Sequence, residues 1–342
     1  MRSPLEETQT EAIAAAGTEP VRGGVSRRRA VGNWLARYGL LVAFLAMLIV
    51  FLTTNSDFRQ PNNLLNVLQQ SSIIGIVSCG MSVMIVSGGF DLSVGAIGAA
   101  STMAAAGVMV ATGSIASGVL TGLGIGLAAG LFNGVIISRV GITPFIATLG
   151  SASIISGIVF ASTNAAPISG IPVEFTQLGL GKVGGFPVAA LVFLGVAILV
   201  YITLKWTKFG HYVYAVGSSR EAARLAGVPV QTVVLFAFAV GGLLAGLAGL
   251  VLLGQTSIGQ STAGATWPLS AIAAVVVGGT PLRGGTGGVH SAVIGTLLLG
   301  VLSNALNLYG VSPYWQPAVT GVVVLLAVGV DSYHRKSAGG MA

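Results

Sequence analysis

The sequence predicts an all-α, polytopic membrane bundle of about ten transmembrane helices, with the amino and carboxy termini in the cytoplasm. Charged residues make up 7% of the 342 positions and hydrophobic ones 54%. A soluble domain carries about 25% charge, so this chain cannot coat itself with a solvated surface. Its apolar residues gather in stretches of span length, separated by short Gly, Pro and polar clusters. Its cations fall unevenly among those clusters, as they do when Lys and Arg collect on the cytoplasmic side.

Residues 1–31 read as a flexible cytoplasmic tail, with Glu6, Glu7, Glu11 and Glu19 ahead of the basic run Arg27-Arg28-Arg29. That run, placed before an apolar stretch, faintly resembles a twin-arginine export signal. No small-residue cleavage site is evident after Leu52, however, and the stretch is long enough to span. The membrane domain is expected over residues 32–335, followed by a short cytoplasmic tail at 336–342. Its spans run from Leu35 to Leu52, Leu64 to Val86, Leu92 to Ala111, Val119 to Ile137, Pro144 to Ala161, Val188 to Leu204, Thr232 to Leu253, Leu269 to Val277, Val289 to Leu308 and Gln316 to Val330. The eighth is too short alone and takes in Trp267. All must be helices, because isolated strands would leave backbone groups unpaired in lipid and barrel strands would alternate strictly.

With the amino terminus inside, these spans place Arg22, Arg27, Arg28, Arg29, Arg37, Arg139, Lys205, Lys208, Arg220, Arg224, Arg283, Arg335 and Lys336 in the cytoplasm. Only Arg59 and Lys182 are left outside. A miscount by one helix would strand Arg335-Lys336 outside or put the basic stretch from Lys205 to Arg224 on the side of Lys182. The formal net charge of +7 is thereby explained by orientation and contact with anionic lipid, and nothing points to nucleic acid.

One carboxylate stands out. In Ser87-Gly88-Gly89-Phe90-Asp91-Leu92-Ser93-Val94-Gly95, Asp91 sits between runs with no charge from Gln60 to Phe90 and none after it until Arg139. The stretch from Leu64 to Ser87 is long enough to cross ~30 Å of hydrocarbon, which puts Asp91 at its cytoplasmic end. Gly88 and Gly89 let the chain turn there, and Asp91 is expected to cap the helix beginning at Leu92.

The 51 glycines are patterned. Gly122, Gly126, Gly130 and Gly134 recur every fourth residue, and Gly242 and Gly246 repeat the spacing, so each set forms a strip for close helix packing. Asn133, Asn304 and Asn307 are amides inside spans that need partners or line a polar path. Cys79 lies alone within a span, so no intrachain disulfide can form.

The loop at 205–230 is longer than connection requires. Ser218 and Glu221 have capping-box spacing, Ala222, Ala223, Leu225 and Ala226 favour helix, and Gly227 with Pro229 ends it. Arg220 and Arg224 lie one turn apart on this short exposed helix, which gains little stability alone in water. Docking against a cytoplasmic partner would supply what it lacks.

These residues resemble the membrane permeases of bacterial ATP-binding cassette importers for ribose, galactose, xylose and related sugars. The resemblance covers nearly all of the chain after the tail. It rests on Gly80-Met81 through Ser87–Gly95, Asn133-Gly134, Thr143-Pro144-Phe145-Ile146-Ala147-Thr148-Leu149-Gly150, Tyr214-Ala215-Val216-Gly217, Ala222-Ala223-Arg224-Leu225-Ala226-Gly227, and Gly278-Gly279-Thr280 with Gly284-Gly285 and Gly287-Gly288. It implies a homodimeric pore in the inner membrane, a separate ATPase subunit beneath it and a periplasmic sugar-binding protein above it. It assigns Ser218, Ser219, Arg220, Glu221, Ala222, Ala223, Arg224, Leu225, Ala226 and Gly227 as the coupling helix. Family members often carry Gly-Asn where this chain has Ser218-Ser219. The resemblance further places Gly88, Gly89, Asp91 and Ser93 beside that contact as a cytoplasmic gate. A sugar needs only weak contacts in transit, which Asn133, Thr148, Asn304 and Asn307 are expected to offer.

The chain's own chemistry agrees with a divided machine. No phosphate-binding Gly-x-x-x-x-Gly-Lys-Ser/Thr occurs, and Gly278 to Gly285 lacks the lysine and hydroxyl such a loop needs. His211, His290 and His334 are scattered, with no metal cluster and no nucleophile–base pair. No catalytic residue, metal or cofactor is therefore expected in this chain, and ATP with Mg belongs to the partner ATPase. The rival from another class is a self-contained ion-coupled secondary transporter, which would need an ionisable site near mid-membrane; Asp91 is the candidate. Permeases for nucleosides or branched-chain amino acids are the nearest alternatives within the class.

Overall fold

The computed structural model describes residues 45–322 and Leu325. The tail at 1–31, most of the first expected span, the end of the tenth and the cations at Arg22, Arg27–Arg29, Arg37, Arg335 and Lys336 lie outside the described residues. The rest is a helical bundle: α1 (Leu45–Thr54), α2 (Pro61–Val86), α3 (Val94–Thr112), α4 (Ile115–Val135, continued by a π-helical turn at Ile136–Val140) and α5 (Pro144–Thr163). After a short outer segment come α7 (Val188–Trp206), α8 (Lys208–Ser218), α9 (Arg220–Leu225), α10 (Val230–Thr256), α11 (Trp267–Val277) and α12 (Val289–Leu308); residues 316–322 are helical again. Among the described residues seven helices are long and apolar enough to cross a membrane: α2, α3, α4, α5, α7, α10 and α12. The α11 helix, with 11 residues, rises only about 17 Å at ~1.5 Å per residue, and it does include Trp267.

Helix boundaries follow local chemistry. Proline occupies the first turn of α2 and of α5, where the missing N–H costs nothing. The Ser114 hydroxyl accepts from the Ser117 N–H and starts α4 four residues before the apolar run suggests. The α3 helix begins at Val94 rather than Leu92. The Leu92 N–H donates to Thr148 Oγ1 and the Ser93 N–H to Asp91 Oδ1, so side chains rather than a helical ladder hold the backbone there.

The outer segment between α5 and α7 is not structureless. A two-residue strand β1 (Ile168–Ser169) pairs antiparallel with β4 (Ile258–Gly259), which follows α10. Between them lie a 3-10 turn, the short helix α6 (Gln177–Leu180) and a hairpin of β2 (Lys182–Val183) with β3 (Phe186–Pro187). Gly184 and Gly185 both have positive φ at the hairpin tip, the pair of conformations a type I′ turn demands. Gln69 of α2 donates to the Gly179 carbonyl and accepts, through its own carbonyl, from Gln255 of α10, tying this segment to the bundle.

Two helices form the centre. The α2 and α10 helices are mostly buried, and α10 packs on α4, α2 and α3. The glycine strip explains the closeness of the α4–α10 seam. A Cβ added at Gly126, Gly130 or Gly134 would come closer than 3.0 Å to the backbone of α10, at Gly242, Phe238 and Leu235 respectively. The reverse holds at Gly242, whose Cβ would strike the Gly126 carbonyl, while Gly124, off the strip, faces open space. Cys79 is buried among the apolar residues of this centre.

Candidate functional site

Lys205, Lys208, Arg220, Arg224 and Arg283 lie in or beside the α7–α10 connection and the α11–α12 loop. There the α2–α3 turn, the end of α8 and the α11–α12 loop meet through glycines. Gly285 N–H donates to the Val86 carbonyl at 2.9 Å. A Cβ at Gly217 would strike that same carbonyl, and one at Gly284 would come 2.9 Å from Gly88 Cα. Gly88, Gly284 and Gly285 all take positive φ. Backbone thus touches backbone at a point where any side chain would hold the three segments apart.

The α9 helix projects from this junction. Its cap is Ser219, whose hydroxyl accepts from the Ala222 N–H at 3.2 Å. Ser218 instead ends α8, and its hydroxyl donates back to the Tyr214 carbonyl at 2.9 Å, so the capping box expected from Ser218 and Glu221 does not form. Either serine can cap a helix, and although only Ser218 has Glu three residues on, α8 runs through Ser218 and leaves Ser219 as the cap. Ala223 is buried against the bundle, Gly227 closes the helix at φ 78°, and Leu225 is 79% exposed. Glu221 and Arg224 pair at 2.8 Å, but both are exposed and such a pair contributes little in water. With Arg220 and Ala226 also exposed, α9 presents cations beside an apolar side chain.

Asp91 lies just inside this junction, in the connection between α2 and α3, fully buried. Its Oδ1 accepts from the Ser93 N–H at 2.6 Å and the Ser93 hydroxyl at 2.5 Å, and its Oδ2 accepts from Asn133 Nδ2 at 3.1 Å. Asn133 Nδ2 also donates to Ser93 Oγ at 2.8 Å, while Asn133 Oδ1 is buried without a partner. Asp91 is therefore not the N-cap; Ser93 holds that position, and Asp91 closes an Asx turn one step earlier. Burial pushes its carboxyl up, opposed by the Ser93 hydroxyl, the Ser93 N–H and the Asn133 amide. Gly89 packs beneath, against Phe238 and Pro144. Together Asp91, Ser93, Asn133 and Thr148 fasten α3, α4 and α5 to one another.

The four residues expected along a solute path thus separate into two places. Asn133 and Thr148 belong to this polar knot. At the opposite end Asn304 exchanges two hydrogen bonds with Asn63, at 2.9 and 3.0 Å, and Asn307 accepts from Gln316 at 2.8 Å. Near the latter pair the structure opens a cavity of about 590 Å³ between α2, α11 and α12. Gln70, Ser71, Trp267, Thr296, Ser303 and Gln316 line it, and the Ser71 and Thr296 hydroxyls are buried there without a protein partner. Sequence reasoning missed this cavity. Serines and threonines in spans usually bond back to their own helix, as Ser72 and Thr102 do, so Ser71 and Thr296 carry no distinguishing signal until their neighbours are known.

A polytopic bundle with a half-open cavity that holds unpartnered hydroxyls toward one end and an exposed helix carrying Arg220 and Arg224 at the other has the layout of a membrane transport subunit. The chain belongs to the family described as branched-chain amino acid transport system / permease component, which it matches over residues 63–328. It is 37% identical over 319 residues to the ribose import permease protein RbsC of Escherichia coli (strain K12), covering 92% of this chain and 98% of that one. It is 37% identical over 306 residues to the ribose import permease protein RbsC of Bacillus subtilis (strain 168), covering 89% and 94%. It is 34% identical over 325 residues to the galactose/methyl galactoside import permease protein MglC of Salmonella typhimurium (strain LT2), covering 89% and 97%. No solved structure matches the chain.

Proposed function

We propose that this chain is the membrane-spanning subunit of an ATP-driven importer that passes a sugar of the ribose or galactose kind across a bacterial inner membrane. The observation that carries the reading is the pairing of near full-length likeness to sugar import permeases with an exposed helix, α9, that follows directly on the end of α8, where Gly217 meets the α2–α3 turn backbone to backbone. In this reading the chain has ten spans with both termini in the cytoplasm and works as a homodimer. Its partners are an ATPase, which holds the ATP and Mg, and a periplasmic binding protein that delivers sugar. The chain itself binds no cofactor and performs no hydrolysis.

Closure of two ATPase subunits draws the α9 helices of the two copies together. Because Gly217 abuts the end of α2 and Gly88 abuts Gly284, displacement of α8 and α9 is passed to the α2–α3 turn without compliant side chains between. The Asp91–Asn133–Thr148 knot makes α3, α4 and α5 follow as a block. The cavity on the other side, with Ser71 and Thr296 hydroxyls free and Trp267 as an apolar wall, suits a polyhydroxylated solute that must be held weakly and released.

Tagged protein purified in mild detergent from membranes of its own source tests the assembly. An ATPase at equal copy number, lost in Arg224→Glu, supports the reading. A stable assembly without ATPase, moving solute on an ion gradient, favours the ion-coupled transporter. The family description names branched-chain amino acids, so leucine belongs beside ribose, galactose and a nucleoside in any uptake panel.

A further inference from the structure

A second concave site lies where α7, α8 and the start of α12 meet, near the α9 end of the bundle. It is an open cleft of about 420 Å³ lined by Tyr201, Lys205, His211, Tyr214, Gly288 and His290. No carboxylate lines it, and the one ion pair among the described residues joins Glu221 to Arg224, so the Lys205 charge has no acidic partner there. Lys205 Nζ donates to the Tyr201 hydroxyl at 2.7 Å and lies 5.2 Å from that ring's centre. His211 Nδ1 donates to the Thr207 carbonyl at 2.8 Å, which spends that ring's N–H within α8 and leaves His290 as the imidazole donor of the cleft. A Cβ at Gly288 would come 3.1 Å from the Tyr214 hydroxyl and 3.3 Å from His290 Nδ1. Glycine there keeps the cleft open. The 20-residue helix α12 starts beside it with no acidic residue in its first turn and no side-chain cap, so its dipole adds to the attraction for an anion.

The surroundings indicate where such an anion comes from. Leu194, Ile198 and Ile202 form an exposed strip on α7 at helical spacing that leads to Lys205. Trp206 is 66% exposed and packs edge-on against Tyr201 at 5.8 Å between centroids. An aliphatic strip ending in Tyr, Trp and Lys is what a helix presents where hydrocarbon meets headgroups.

We infer that this cleft binds the phosphate of an anionic phospholipid from the leaflet on the α9 side. The phosphate oxygens accept from the Lys205 ammonium, the His290 ring N–H and the first N–H groups of α12, and the acyl chains lie along the α7 strip. A soluble phosphate carries the same oxyanion but has no use for that strip. Occupancy would brace α7 against α8, the helix that leads into α9.

The test uses the full-length protein with whatever subunits purify with it. It is reconstituted in nanodiscs of phosphatidylcholine and phosphatidylglycerol in equal parts, re-extracted, and its retained lipid counted by native mass spectrometry. Wild type is expected to retain phosphatidylglycerol in preference. Lys205→Gln should reduce the preference about fivefold, Lys205→Gln with His290→Gln further, and Lys205→Arg should keep it. Both positions are exposed, and melting in detergent verifies that the variants fold; if Lys205→Gln does not, His290→Gln alone reads the same loss. No preference in wild type, or an unchanged preference in the folded variants, overturns the assignment. Stabilisation by inorganic phosphate in pure phosphatidylcholine discs, without phosphatidylglycerol preference, transfers the cleft to a soluble anion and equally overturns the lipid site. These readouts need no transport activity, so they stand apart from the proposed function.

Discussion

Asp91 is a buried carboxylate whose three donors come from Ser93 and Asn133 and which, among the described residues, pairs with no cation. Because burial raises its pKa above the ordinary carboxylate value, the folded state holds this proton more tightly than the unfolded chain. Its contribution to stability is therefore full below the unfolded pKa and is lost as pH rises through the folded one. Asp91→Asn, neutral at every pH, removes that loss. Rotation of the Asn133 amide would then turn its unpartnered Oδ1 toward the new Nδ2. Melting profiles against pH should show the Asn variant gaining on wild type as pH rises, and a difference that stays flat would mean that charge burial is not the cost. Asp91→Leu abandons the donors, at about 1–3 kcal/mol for each left unpaired, and should melt lower than wild type throughout. The importance of Asp91 was legible in the sequence because it is isolated. Its partners were not, since Asn133 lies 42 residues away and an amide in a span gives no sign of which helix it will meet.

At the scale of elements, the glycine strips of α4 and α10 were readable, their pairing with each other was not, and α9 was readable in part. Glycines at every fourth position demand a close neighbour, and the structure supplies Phe238, Gly242 and Gly246. Gly130→Leu places a side chain where the Phe238 carbonyl stands, an overpacking cost of at least about 1–3 kcal/mol. A Cβ at Gly124 meets nothing within 4 Å and the position is exposed, so Gly124→Leu should leave the melting temperature nearly unchanged. Equal losses in the two variants would show that glycine is required for flexibility rather than for contact. The existence of α9 followed from composition, yet its cap shifted from Ser218 to Ser219 because α8 runs without pause into the junction. Ser219→Ala should therefore loosen α9, by about 1 kcal/mol for a lost cap, while Ser218→Ala leaves it intact; hydrogen exchange at Ala222 and Ala223 separates the two.

For the whole molecule, composition and cation placement were enough to give a membrane bundle, since so few charges cannot solvate 342 residues. What they could not give is the third dimension of the path: the cavity arises only when Ser71, Trp267 and Thr296 from three helices converge. If that cavity is the transit site, Thr296→Leu should lower the maximal uptake rate while leaving ATPase assembly normal, because the hydroxyl has no structural partner to lose.

The most direct test of the central claim is uptake into sealed vesicles holding this chain, its co-purified ATPase and the binding protein, with ribose, galactose, leucine and a nucleoside compared. ATP supplied on the ATPase side should drive accumulation of a sugar, and Arg224→Glu should abolish accumulation while the chain remains folded in the membrane. Accumulation driven by an ion gradient without ATP, or full ATP-driven uptake in the Arg224→Glu variant, would contradict the account.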